Sequence, residues 1–214
     1  MPESLISKMQ MEIPQNKFEG FVLAGGKSSR MGTSKAFLKI ENETFIERAV
    51  NALKTSCNNR VKIILNQNQS AVDFAAFDYT RDIYPERGAI GGIHTALSIS
   101  KSEWTIILAC DLPLVTDQIL KEISKIALDL SQNFAAVVPK QTDGKIQPLC
   151  ALYRSSLCLP QLTKLLQTQN SVSVRSFLET VPTFYIENNK ISAPNKTVFF
   201  NVNTPEDYRS ILEK

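Results

Sequence analysis

Two adjacent glycines, three cations close behind them and an isolated aspartate far downstream are the residues of this chain with chemistry to offer. Gly25-Gly26 end the apolar run Phe21-Val22-Leu23-Ala24, and Lys27, Arg30 and Lys35 follow on a segment that also carries Ser28, Ser29, Gly32, Thr33 and Ser34. Adjacent glycines let the backbone turn sharply and present N–H groups to a ligand, with no Cβ in the way. Successive N–H groups of this kind make an anion-binding nest, and the cations supply charge suited to a polyphosphate. Of two familiar phosphate loops, spacing excludes one and disfavours the other. The dinucleotide fingerprint needs G-x-G-x-x-G, whereas these glycines are adjacent. Gly26-Lys27-Ser28 matches the end of a P-loop, but the position that must hold its first glycine is Phe21. The bland alternative, a glycine-rich turn with cations on the surface, is disfavoured by the crowding of charge.

The aspartate is Asp111. It follows Trp104-Thr105-Ile106-Ile107-Leu108-Ala109-Cys110, which is apolar almost throughout, as a central parallel strand is. In open α/β sheets ligands sit at the carboxyl ends of strands, so a carboxylate there points at the site. It is a natural Mg²⁺ ligand, because Mg²⁺ takes one or two carboxylates and completes its shell with phosphate and water. Asp111 as a mere turn residue before Pro113 is the competing reading. Asn201 and Asn203 lie just ahead of a helix start at Thr204-Pro205-Glu206-Asp207. They can donate to a phosphate or simply shape the turn, and the residues alone leave both readings open. His94, the only histidine, is expected to be packed or solvated rather than catalytic.

These groups must be positioned by an alternation of strands and helices. Phe21 to Ala24 reads as a buried strand. Thr44 and Glu47 have capping-box spacing ahead of a helix whose buried face is Phe45, Ile46, Ala49, Val50 and Leu53. Arg60 to Leu65 is a second buried strand, ending at Asn66, so strand, helix and strand form a right-handed parallel crossover. Asp82 to Ile93, with Pro85, Gly88, Gly91 and Gly92, is a second close-approach loop opening a helix over 91–99. Thr116 caps the helix after Asp111, with Asp117 in its first turn. Phe134 to Pro139 is a strand, and Asp143-Gly144 marks a hairpin turn. Residues 155–169 and 173–180 read as helices, although Pro160 is uncomfortable inside the first. Thr183 to Ile186 and Val198 to Phe200 are short strands.

The pattern is α/β: a three-layer, Rossmann-like, mostly parallel sheet with helices on both faces. The 214 residues suffice for one sizeable domain, placed at 18–214, behind a loose polar leader at 1–17 that lacks the form of a secretory signal. Within it, the nucleotide-binding half falls at roughly 18–115 and the acceptor-binding half at roughly 116–214. A net charge of +3 without a basic run gives no argument for a nucleic-acid partner, and no apolar run is long enough to span a membrane. Cys57, Cys110, Cys150 and Cys158 form no C-x-x-C pair. They read as reduced, buried thiols of a cytoplasmic protein.

Taken in order, Leu23-Ala24-Gly25-Gly26 with Arg30-Met31-Gly32 and Lys35, then Asp82…Pro85…Gly88-Ala89-Ile90-Gly91-Gly92, Cys110-Asp111-Leu112-Pro113, Gln147-Pro148-Leu149-Cys150-Ala151-Leu152-Tyr153 and Asn201-Val202-Asn203-Thr204-Pro205-Glu206-Asp207 resemble the MobA-type molybdenum cofactor guanylyltransferases. The resemblance implies the fold of the nucleotide-diphospho-sugar transferases. It also implies transfer of GMP from GTP to the terminal phosphate of molybdopterin, with molybdoenzymes or their chaperones as candidate recipients of the product. It puts the GTP site on Leu23, Ala24, Gly25, Lys35, Asn66, Asp82 and Asp111, with Asp111 also holding Mg²⁺. The chemistry of the residues assigns the Gly25 and Gly26 amides, Arg30 and Lys35 to the departing pyrophosphate. The catalytic group is thus Arg30, Lys35 and Asp111, with Asn201 and Asn203 as further binding candidates. The Leu-Ala-Gly-Gly form favours GTP over CTP. One departure is Ser34, where the family commonly has aspartate; Ala89-Ile90-Gly91-Gly92 is a milder one. The alternatives are a nucleotidyltransferase of the same fold using CTP or a sugar or alcohol phosphate, and a GTP-binding regulator that has lost catalysis.

Overall fold

The computed structural model describes residues 16–25, 35–187, 190–191 and 197–213. Strand β1 (Phe18–Leu23) opens three residues earlier than its apolar run suggests and is buried along most of its length. A small antiparallel hairpin, β2 (Lys39–Ile40) and β3 (Glu43–Thr44), leads into helix α1 (Phe45–Ser56). The capping box at its start is formed: Thr44 Oγ1 accepts from the Glu47 N–H, and the Thr44 N–H donates to Glu47 Oε2 at 2.7 Å. Such a cap contributes about 1 kcal/mol to the helix. Then come β4 (Val61–Leu65), β5 (Tyr79–Arg81), α2 (Ala89–Ile99) and β6 (Trp104–Ala109). The second half supplies α3 (Asp117–Asp129), β7 (Ala136–Lys140), β8 (Cys150–Arg154), α4 (Ser155–Thr168), α5 (Val174–Leu178), β9 (Thr183–Glu187) and α6 (Pro205–Leu212).

Among the described residues seven strands form one sheet in the order β5-β4-β1-β6-β8-β7-β9. All run the same way except β8, which is antiparallel to both neighbours. The central strand β6 is therefore parallel to β1 on one side and antiparallel to β8 on the other. Alternate residues of β1 feed opposite faces. Phe18 and Val22 join the core under α1 and α3, with Ile46, Leu53, Ile119 and Ile123. Phe21 and Leu23 join the core under α2 and α4, with Ile93, Leu97, Leu162 and Leu166. Burial on both faces explains why β1 and β6 read as continuous apolar runs.

Three local expectations change. Thr116 stands at the start of α3 in extended conformation, but its side chain makes no capping hydrogen bond; the first turn is instead served by Asp117, paired with Lys121 at 2.8 Å. Helix α4 runs through Pro160 rather than starting there; Pro160 and Ser156, one turn before it, are both on the exposed face of the helix. Val198 to Phe200 is not a strand: it belongs to a turn closed by the Phe200 N–H to the Thr197 carbonyl at 2.9 Å, with Val198 and Phe199 buried.

The loop before α2 is set by two glycines. Gly88 adopts φ 65°, a left-handed value that favours glycine, and Gly91 is crowded: a Cβ there would lie 2.3 Å from the Tyr84 carbonyl oxygen. Gly91→Ala should therefore destabilise the fold by about 2–3 kcal/mol, measured by urea unfolding. His94, on the buried side of α2, shares hydrogen bonds with Thr163 Oγ1 (2.9 Å) and Ser98 Oγ (3.3 Å) and meets Tyr84 edge-on at 4.9 Å. Burial lowers its pKa from 6.5, with Asp82 opposing. A depressed histidine is fully compatible with the fold above about pH 6.5 and costs stability as the pH falls below it, when the unfolded chain protonates first. Thermal unfolding between pH 7 and 5 should show a shallower loss of stability in His94→Gln than in the unaltered protein.

Candidate active site

From β1 the chain passes through α1 to β4 and on to β5, all on one side, and returns to β6 on the other side of β1. The connections thus part company at the carboxyl ends of β1 and β6, the crevice where open α/β sheets bind ligands. A cleft of about 230 Å³ opens there. Leu23, Ala24 and Gly25 line it from β1, Ala109, Cys110 and Asp111 from β6, and Lys35 from the short turn of 3₁₀ helix at Lys35–Phe37. The β1–β6 register, Leu23 opposite Ala109, is what brings the glycine end beside the aspartate.

Asp111 is the most constrained group in the cleft. Its backbone carbonyl accepts from the Val202 N–H at 2.9 Å, while its side-chain Oδ1 is buried without a hydrogen-bond partner. Burial raises its carboxyl above the ordinary aspartate value, and the nearby Lys35 charge pulls the other way. A buried carboxylate oxygen left unpaired costs free energy and calls for an external partner. A cation meets that need. Among the described residues no cluster of three or more histidine, cysteine or acidic side chains could enclose a metal by itself. A single aspartate such as Asp111 fits Mg²⁺, which needs only one or two carboxylates and takes the rest of its shell from phosphate and water.

Lys35 reaches the site from the opposite wall, its Nζ donating to Asn203 Oδ1 at 3.0 Å. The Asn203 and Thr204 N–H groups each donate to Asp207 Oδ2 at 2.8 Å, and Thr204 caps α6 with Pro205 in its first turn. The segment 201–203 therefore touches both charged groups of the cleft, through Val202 to Asp111 and through Asn203 to Lys35. Asn201 is exposed beside it and does not line the cleft. Gly26, Arg30 and Ser34 lie outside the described residues.

Asn66 and Asp82 stand behind the cleft rather than in its wall. Asn66 Cβ lies 3.6 Å from where a Cβ on Gly25 would sit, and its N–H donates to Gln69 Oε1 at 2.7 Å. Asp82 is buried, and its Oδ1 accepts from the Tyr84 N–H and Thr95 Oγ1, both at 2.8 Å, which pins the second glycine loop to α2. Two residues that sequence reasoning does not single out organise the near wall. Gln69 lines the cleft and ties it together, its Nε2 donating to the Ala24 carbonyl at 3.0 Å. Arg81, at the end of β5, donates to the carbonyls of Asn66 (3.0 Å), Gln67 (2.8 Å) and Gln69 (3.2 Å). Asp73 and Phe74 also line the cleft. The segment 67–81 has no periodicity, so the one signal available in it is the basic residue that closes it. Cys110 lines the cleft but burial pushes its thiol up to about 12, which leaves it inert as a nucleophile.

Comparison with known proteins places the chain in a family. A relative from Clostridium perfringens (strain 13 / Type A), named as a probable molybdenum cofactor guanylyltransferase, is 33% identical over 198 residues, covering 90% of this chain and 95% of its own length. One of the same name from Geobacillus sp. (strain WCH70) is 32% identical, covering 92% of this chain and 99% of its own. Among solved structures, molybdopterin-guanine dinucleotide biosynthesis protein A from Archaeoglobus fulgidus superposes with a TM-score of 0.75 at 24% identity, covering 91% of this chain and 97% of its own. A 2-C-methyl-D-erythritol 4-phosphate cytidylyltransferase from Thermus thermophilus shares the fold at 12% identity and a TM-score of 0.64, covering 90% of this chain and 96% of its own. Residues 20–184 match the MobA-like NTP transferase domain, and the chain belongs to that family.

Proposed function

We propose that this protein transfers GMP from GTP to the terminal phosphate of molybdopterin, forming molybdopterin guanine dinucleotide and releasing pyrophosphate. The observation that carries the proposal is the placing, in one cleft at the sheet's switch point, of the cation Lys35 and a carboxylate, Asp111, whose buried Oδ1 lacks a hydrogen-bond partner. The names of the relatives that span nearly the whole chain support the choice of substrates. Nucleotidyl transfer of this kind needs no general base, because the attacking phosphate oxygen is already ionised at neutral pH. It attacks the α-phosphorus of GTP as the bond to the β-phosphate oxygen breaks, and the electron pair leaves with pyrophosphate. What the protein must supply is alignment of two anions and compensation of charge.

In this scheme the Gly25 and Gly26 amides, Arg30 and Lys35 hold the triphosphate and balance the charge that builds on pyrophosphate. Asp111 would hold Mg²⁺, which when bound polarises the α-phosphate and lets two anionic reactants approach. Asn66 and Asp82 support the nucleotide wall at the end of β4 and the start of the second glycine loop. The nucleotide half would fall at roughly 18–115, leaving 116–214 for the acceptor. No helix among the described residues is long and apolar enough to cross a membrane, and all four cysteines are buried and unpaired, which supports a reducing, cytoplasmic setting.

Purified protein given Mg²⁺, molybdopterin and each nucleoside triphosphate in turn should release pyrophosphate with GTP. Release with CTP and not GTP would sink the choice of nucleotide. Asp111→Ala should lower kcat by roughly 10²–10³-fold while leaving the far-ultraviolet circular dichroism unchanged. Asp111→Asn removes a charge whose buried Oδ1 has no hydrogen-bond partner, and burial outweighs the Lys35 charge and the backbone hydrogen bond that favour it, so without divalent cations it should raise the melting temperature by about 2–4 °C, the equivalent of about 1 kcal/mol in a chain of this size. A lower melting temperature would mean that the carboxylate is already satisfied in the free protein.

A further inference from the structure

We infer that Asn203 is a positioning residue for Lys35: its side-chain oxygen anchors the lysine ammonium at the mouth of the cleft, and the residue acts on a bound triphosphate through that lysine. The inference rests on the function proposed above and goes beyond it, since there the lysine's place in the cleft was taken as given.

The atoms leave little choice of role. An ammonium donates and never accepts, so the amide atom facing Lys35 Nζ at 3.0 Å must be the oxygen, as found. The contact joins residues 168 apart in the chain, so it is made by the fold and not by local geometry. Lys35 sits on a flexible four-carbon stem that is only half buried, and with no anchor its ammonium would sample many positions along the cleft. One of its three N–H donors is held by Asn203, leaving two for phosphate oxygens.

The chemical nature of the anchor matters equally. A carboxylate in this place would neutralise Lys35 and weaken its hold on an anion. The amide oxygen is neutral, so it fixes the cation without cancelling its charge. A carboxylate is indeed close by, on Asp207, but its Oδ2 is engaged by the backbone N–H groups of Asn203 and Thr204. The Asp207 carboxyl is held below its ordinary value first by the Asn203 N–H, and Lys35 is the weakest of the influences on it. Asp207 thus braces the backbone of Asn203, and Asn203 presents its oxygen to Lys35. The same segment grips Asp111 through the Val202 N–H, so the two charged groups are spaced by one stretch of backbone.

The test is a double-mutant cycle read by GTP binding in the presence of Mg²⁺, using calorimetry on the full chain. Asn203→Ala should weaken GTP about fivefold to tenfold, the loss of one hydrogen bond to a charged group. In a Lys35→Met background the same substitution should change affinity by less than about twofold. Equal weakening in both backgrounds would overturn the inference, because Asn203 would then touch the ligand directly as a donor. No change in either background, or tighter binding by Asn203→Ala, would overturn it as well. The Asn203 side chain is exposed and Asp207 is bound to its backbone, so melting temperatures of all four proteins should agree within a few degrees and serve as the folding control. Failure of the unaltered protein to bind GTP would sink the proposed nucleotide and not the cycle, which is then run with the triphosphate that does bind. A chain that binds no nucleoside triphosphate would overturn both.

Discussion

The parallel pairing of β1 with β6 is the constraint on which the rest of the molecule depends. It runs in unbroken register from Phe18 opposite Trp104 to Leu23 opposite Ala109. Because side chains alternate between faces, a slip of one residue would turn every core residue of β1 to the wrong layer. Phe18 and Val22 are committed to the helices on one side, Phe21 and Leu23 to those on the other. The register is therefore enforced by two hydrophobic cores at once. Its consequence at the strand ends is chemical, since it places Gly25 and Asp111 at the two lips of a single cleft.

The site built on that frame holds its charges in an unsettled condition. Asp111 has a buried Oδ1 without a hydrogen-bond partner, and the cation that bears on its titration, Lys35, is turned toward a neutral amide. A salt bridge between Lys35 and Asp111 would satisfy both groups and leave nothing for a ligand. Keeping them apart costs stability locally, and the cost is carried by the apolar sheet beneath, where Ile106, Ile107 and Leu108 are fully buried. An arrangement that leaves a cation and an anion each seeking an external partner is suited to a ligand that brings both signs together, such as a metal-bound polyphosphate.

Much of this is legible in the sequence, for reasons that can be located. The capping box at Thr44 and Glu47, the buried face of α1 and the cap at Thr204 are set by neighbours three or four residues apart, and local rules capture them. Asp111 is visible because strand ends in such sheets face ligands. What escapes is whatever depends on chain segments meeting from far away. Nothing near Gln69 in sequence says that it will clasp the Ala24 carbonyl, or that Arg81 will gather the carbonyls of residues 66, 67 and 69. Val198 to Phe200 is apolar because the turn that holds it is buried, and burial alone does not make a strand. The internal hydrogen bonds of the Asp82 side chain and the Asn66 backbone are likewise made by the fold and are not announced by the residues around them.

The grip of Val202 on Asp111 has a consequence for how the protein comes into being. The glycine end of β1 and the acid end of β6 are synthesised in the first part of the chain, and the sheet between them can form as soon as both strands are available. Yet the backbone that spaces Asp111 from Lys35 lies beyond residue 200. During synthesis β1 and β6 are thus made before the segment that touches both Asp111 and Lys35. The contacts that Val202 and Asn203 bring to Asp111 and Lys35 are therefore among the last that synthesis makes available.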